Sequence, residues 1–159
     1  MEFNRGDWRG VLDTKKSIRV VVVDDSPKDL NALCYYLKKH EAIEIVGTAR
    51  DGFELMKVAE ALHPDLVITD LHMARLSGIE CTLRLRQLMP RTQFIVFTDM
   101  DAPFTEADCA VPGADAYIYK EQMPGRVLTA IYRLFPELNR RKQSRGQEID
   151  ASESCPRPC

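Results

Sequence analysis

The 159 residues include 45% apolar and 29% charged side chains and carry a formal net charge of -2. This composition excludes disorder throughout and the strongly basic footprint of a nucleic-acid-binding domain, and the length fits one domain with its own core. Of five cysteines, Cys34, Cys81 and Cys109 read as buried small hydrophobes in a cytosolic, reduced protein, and Cys155 with Cys159 lacks the further ligands of a zinc site.

Residues 1–17 read as an N-terminal extension with scattered charges and no apolar core, unlike a signal peptide, and no later apolar run approaches a membrane span. IRVVVV (Ile18 to Val23) is continuous and β-branched, which predicts a strand buried on both faces. Ser26 and Pro27 resemble a helix start, and Leu30, Leu33, Cys34 and Leu37 carry the helical spacing to about His40. IEIVG (Ile43 to Gly47) is the second predicted strand. Asp51 then caps a helix over Gly52 to Leu62, with Phe53, Met56, Ala59 and Leu62 inward. Pro64 ends that helix ahead of a third strand, DLVITD (Asp65 to Asp70). After a loop to Ser77 comes a helix carrying Ile79, Leu83 and Leu88, then a fourth strand, FIVFT (Phe94 to Thr98). Phe104 to Cys109 is a weak fourth helix, AYIYK (Ala116 to Lys120) the fifth strand, and Gly125 to Phe135 a fifth helix. This alternation predicts an α/β fold, a doubly wound five-stranded parallel sheet with helices on both faces, over residues 18–136. Residues 137–159 are polar and aperiodic, a tail or a severed linker.

Parallel sheets bind ligands outside the carboxyl ends of their strands. There the sequence places Asp24 and Asp25 after the first strand, Asp70 after the third, Thr98 after the fourth and Lys120 after the fifth. Three neighbouring carboxylates repel one another and require a cation, and a hard, oxygen-preferring ion such as Mg²⁺ fits them. Carboxylates, Mg²⁺, a lysine and a hydroxyl are the elements that hold a phosphoryl group, and a carboxylate can itself accept that group as an acyl phosphate. Asp70, single and at the end of a central strand, is the expected nucleophile. His40, His63 and His72 lie on separate elements and make a poor metal set, whereas Tyr117 and Tyr119 read equally well as packed strand residues.

These residues bring out a resemblance. Over about Ile18 to Phe135 the chain resembles the receiver domain of bacterial two-component response regulators, through the Asp24–Asp25 pair, DLHMARLSG from Asp70 to Gly78, Thr98, and GADAYIYKE from Gly113 to Glu121. The resemblance implies the flavodoxin-like receiver fold and a cytoplasmic, phosphorylation-activated switch rather than an enzyme. In it, Asp70 accepts a phosphoryl group from a phosphohistidine of a sensor histidine kinase or a histidine phosphotransfer protein. It further implies Mg²⁺ held by Asp25 and Asp70, by Asp24 through water, and by the backbone carbonyl of His72. Thr98 and Lys120 would bind phosphoryl oxygens. Tyr117 would move inward with Thr98, altering the face of the fourth helix, fifth strand and fifth helix, where an output protein or, on phosphorylation, a second copy would dock. His72 and Met100 occupy positions that tune water attack on the acyl phosphate.

VGTARDGFEL and the Lys120–Glu121 pair look most like the subgroup that usually carries a C-terminal helix-turn-helix domain, for which the 24 residues after Phe135 are too few. The chain is therefore read as a single-domain regulator or a fragment of a longer one, with no direct nucleic-acid binding of its own. Three residues depart from the family pattern: Ala74 and Glu121 replace frequent prolines, and Asp99 adds a carboxylate beside Thr98. Asp99 motivates an alternative, a phosphorylation-independent interaction module with a silent site. A haloacid-dehalogenase-like phosphatase is disfavoured, because it would want a D-x-D motif after the first strand.

Overall fold

The computed structural model describes residues 17–73, 75–99 and 113–138. The expectations for the N-terminal extension, Ala74, Met100, the helix at 104–109, the cysteines at 109, 155 and 159 and the tail from 139 lie outside these residues.

Five strands, β1 (Ile18–Val23), β2 (Ile43–Ala49), β3 (Leu66–Thr69), β4 (Gln93–Thr98) and β5 (Ala116–Tyr119), pair in parallel in the order β2-β1-β3-β4-β5. The described helices are α1 (Pro27–Leu37), α2 (Gly52–Leu62), α3 (Gly78–Leu88) and α4 (Gly125–Leu134). The doubly wound expectation therefore holds. The chain moves outward from β1 to β2 and then back across to β3, so the order reverses between β1 and β3, which opens a crevice at their carboxyl ends.

The valine run at the start of the sheet is buried because each face of β1 has its own helical cover. Val20 and Val22 pack in one core with Leu33 and Leu37 of α1 and Val127 and Ile131 of α4. Val21 and Val23 pack in the other with Leu55 and Ala59 of α2 and Cys81 and Leu85 of α3. Each fully buried aliphatic side chain of this size contributes about 1.5–3 kcal/mol.

Helix starts follow their capping residues. Ser26 Oγ accepts from Asp29 N at 3.4 Å, Asp51 Oδ1 from Glu54 N at 2.8 Å and Ser77 Oγ from Glu80 N at 3.2 Å. Some boundaries and faces differ from expectation. The first helix stops at Leu37, and β2 runs on to Ala49. Phe53 is 51% exposed while Leu55 is fully buried, and Leu83 and Leu88 of α3 face solvent while Cys81 and Leu85 pack inward. The fifth strand ends one residue early, and Lys120 opens a 3₁₀ turn over Lys120–Gln122 that is followed by a cis Met123–Pro124 peptide. Cys34 and Cys81 are buried free thiols as expected, and burial pushes the Cys81 thiol up to about 11.

Candidate functional site

Backbone pairing builds the site before any side chain is placed. Val23 and Thr69 are register partners, Asp70 N donates to Val23 O at 3.1 Å, and Asp24 N donates to Ala49 O at 3.2 Å, so the residues that follow β1 and β3 emerge side by side. Carboxylate oxygens of Asp24, Asp25 and Asp70 lie within 4.8 Å of one another, the one such cluster of candidate metal ligands among the described residues. Asp24 and Asp70 are buried and Asp25 is exposed, so the cluster is open to solvent on one side.

The loop behind Asp70 is held by packing. Leu71, Met73 and Leu76 are buried, and the last two join the core under α2 and α3. Gly78, the first residue of α3, sits so close to Asp70 that a Cβ there would overlap its carbonyl oxygen and lie 3.0 Å from its carbonyl carbon. Only glycine permits that approach. His72 N donates to Asp70 Oδ1 at 3.2 Å, which fixes one carboxylate oxygen and leaves the His72 side chain exposed.

Lys120 supplies the cationic partner. Its Nζ lies 2.7 Å from Asp24 Oδ2 and 3.2 Å from Asp70 Oδ2, with the side chain only 11% exposed. Burial by itself would depress the lysine, but the surrounding carboxylates of Asp24, Asp70 and Asp29 outweigh it and hold the ammonium above the ordinary lysine range. At Asp24 the order is reversed: burial raises the carboxyl above its usual value despite Lys120 and the Ser26 backbone N–H, which donates to Oδ1 at 2.9 Å.

A folded-state value above the unfolded one means that Asp24 favours the fold while protonated and loses that contribution as pH rises through its folded value. Its charge at neutral pH therefore costs stability. Asp24→Asn is expected to stabilise the metal-free protein at pH 7 by about 1 kcal/mol, since Lys120 keeps two other carboxylates. The gain should shrink as pH falls toward 4 or as Mg²⁺ is added, which thermal unfolding in EDTA and in Mg²⁺ would measure.

Thr98 ends β4 opposite Tyr119 of β5 and is fully buried, yet its hydroxyl has no hydrogen-bond partner among the described residues. A buried hydroxyl of this kind usually finds one, so its isolation at the sheet edge fits a group that arrives from outside. Tyr117 is partly buried, with its ring edge-on to Tyr119 at 5.3 Å between centroids. Asp99 is largely exposed, but its Oδ2 comes within 3.8 Å of Lys120 Nζ, so the extra carboxylate does belong to the rim of the site.

Sequence reasoning missed Asp29, whose Oδ2 lies 3.2 Å from Lys120 Nζ. The signal was available: in DDSPKD it falls in the first turn of a helix that begins at the strand-end edge, and first-turn acids stay near that edge. Also unforeseen was Arg86, which bonds Thr92 O at 2.9 Å, Gly113 O at 2.7 Å and the Asp115 carboxylate, clamping α3 to the entry of β5.

Donor chemistry decides which ion this arrangement suits. All side-chain ligands are carboxylate oxygens, the Lys120 ammonium cannot neutralise all three, and one side is open for retained water, which matches Mg²⁺ and disfavours softer metals.

The response regulator receiver domain profile matches residues 20–132. Among curated relatives, the uncharacterized transcriptional regulatory protein YxjL of Bacillus subtilis is 28% identical over 117 residues, which are 74% of this chain and 54% of that protein. The response regulator protein VraR of Staphylococcus aureus is 28% identical over 133 residues, 84% of this chain and 59% of that one. The chain spans about half the length of the curated relatives it matches. Among solved structures, a chain of the CheX–CheY–BeF3–Mg²⁺ complex of Borrelia burgdorferi superimposes with a TM-score of 0.67 at 25% identity, covering 74% of this chain and 89% of that one.

Proposed function

The chain belongs to the response regulator receiver family, and on that premise we propose that Asp70 is its phosphoryl acceptor and Lys120 and Thr98 the groups that receive the phosphoryl oxygens. The supporting observation is the convergence of Asp24, Asp25 and Asp70 within 4.8 Å, with Lys120 bridging two of them.

A carboxylate oxygen of Asp70 attacks phosphorus, the new O–P bond forms as the P–N bond of a phosphohistidine breaks, and the freed imidazole takes up a proton. Asp24, Asp25, Asp70 and the His72 carbonyl are the groups that would hold Mg²⁺, which when bound supplies charge neutralisation to the transferring phosphoryl. The His72 backbone N–H orients the acceptor by holding Oδ1. Lys120 stays protonated at all physiological pH, so its charge is always present for the incoming anion.

The Thr98 hydroxyl gains in the phosphorylated state the partner it lacks at rest among the described residues. Movement of Thr98 would free space for Tyr117, two strands' width from Asp70, and so report the event on the face of β5 and α4. A kinase or histidine phosphotransfer protein is the natural donor, and an output protein or a second phosphorylated copy the natural reader of that face. Because the chain acts as acceptor and switch, turnover of a separate substrate is not part of this reading. His72, Asp99 and Met100 are placed as modulators of how long the acyl phosphate survives. No described helix is long and apolar enough to cross a membrane, and the cytoplasm, where such donors act, is the proposed location.

The test is intact mass. With Mg²⁺ and acetyl phosphate the protein should gain one phosphoryl group, and with EDTA in place of Mg²⁺ it should gain none. Labelling that ignores the chelator would remove the metal from the account.

A further inference from the structure

Lys120 has three N–H donors, and in the resting protein it donates to Asp29 and Asp70 at 3.2 Å each and lies in ion-pair contact with Asp24 at 2.7 Å and Asp99 at 3.8 Å. A phosphoryl oxygen entering while Asp70 is still a carboxylate must compete with these carboxylates for the ammonium. Asp24 is 1% exposed and Asp70 5%, so neither can rehydrate if the ammonium leaves it. Asp29 is 36% exposed, at the solvent-facing start of α1, and can rehydrate when released.

We propose that Asp29 is a positioning residue that occupies, at rest, the lysine donor an incoming phosphoryl group needs, and so restrains the rate at which Asp70 is phosphorylated. The inference rests on the reading of Asp70 as acceptor. Asp29 acts in two ways that reinforce each other. It competes directly for an N–H, and it adds a negative charge no more than two ion-pair contacts from the carboxylate that must meet an anionic donor. The first turn of α1 sets its place, since Ser26 caps the Asp29 backbone N–H and the Asp29 carboxylate accepts from Lys120.

Removing the charge while keeping the shape should therefore accelerate uptake. Asp29→Asn is expected to take up phosphoryl from acetyl phosphate in Mg²⁺ roughly threefold faster than wild type or more at low ionic strength, with the advantage fading in concentrated salt as the field is screened. Asp29→Glu, which keeps the charge, should return to the wild-type rate. A purely structural role would instead give a slower variant with a lowered melting temperature, because a first-turn acid also supports the helix.

A second readout needs neither metal nor phosphodonor: the NMR signal of the Lys120 ammonium in the metal-free protein should shift in Asp29→Asn and recover in Asp29→Glu. Equal or slower uptake by Asp29→Asn, or an unmoved ammonium signal, overturns the role of Asp29 while leaving Asp70 as acceptor. Absence of labelling in every protein, wild type included, overturns both.

Discussion

Asp70→Asn is expected to lose the phosphoryl mass increment that wild type gains from acetyl phosphate and Mg²⁺, with labelling slowed by at least ~100-fold, a barrier of about 3 kcal/mol. The amide oxygen is a poor nucleophile and cannot yield an acyl phosphate. The substitution leaves the surroundings largely satisfied. The side-chain oxygen can still accept from His72 N, and Lys120 keeps Asp24 and Asp29, so loss of labelling would not be loss of fold. Removing one of three crowded carboxylates should, if anything, raise the melting temperature in EDTA. A variant that folds as well as wild type and is labelled equally fast would transfer the acceptor role elsewhere.

Gly78→Ala should unfold the protein more easily than any other single methyl addition at a described glycine, by about 3 kcal/mol, the upper range for overpacking. The atoms a Cβ would meet are the carbonyl oxygen and carbon of Asp70 and the Cα of Leu71, all backbone, so no flexible side chain can move aside. Relief requires α3 or the loop from Asp70 to move, and either displaces Asp70. Reduced stability in urea should therefore come with slower phosphorylation of the folded fraction. Gly125→Ala is the matched control: a Cβ there meets nothing within 4 Å, and alanine in a helix is neutral to stabilising by up to about 1 kcal/mol.

That Gly78 matters this way could be seen only in part from the amino-acid order, where it was one letter of a motif. Strands were legible because β1, β3 and β4 are covered on both sides and so carry the apolar runs VVVV, LVI and FIVF. Helix faces were harder. In α2 and α3 two apolar arcs compete, and spacing alone did not show that Leu55 and Leu85 face the sheet while Phe53, Leu83 and Leu88 do not. The exposed choices are large hydrophobics that a periodicity argument takes as inward, and only the position of the sheet decides between the arcs.

The site divides along the same line. Asp24, Asp25, Asp70, Thr98 and Lys120 could be assembled from the order of letters because a parallel sheet delivers strand ends to one edge. Asp29 reaches Lys120 from a helix turn, which no strand-end rule covers, whereas Asp99, next after Thr98 at the end of β4, stood out as an extra carboxylate. Arg86 is legible only afterwards, since its partners Gly113 and Asp115 are 27 and 29 residues away.

The central claim is that Asp70 receives the phosphoryl group beside a magnesium ion held by its neighbouring acids. A crystal structure with Mg²⁺ and beryllofluoride tests it most directly. The expected result is beryllium joined to an Asp70 carboxylate oxygen, Mg²⁺ in contact with Asp25 and Asp70, and Lys120 and Thr98 bonded to fluorine. Beryllofluoride on another residue, or Mg²⁺ bound away from these carboxylates, would contradict it.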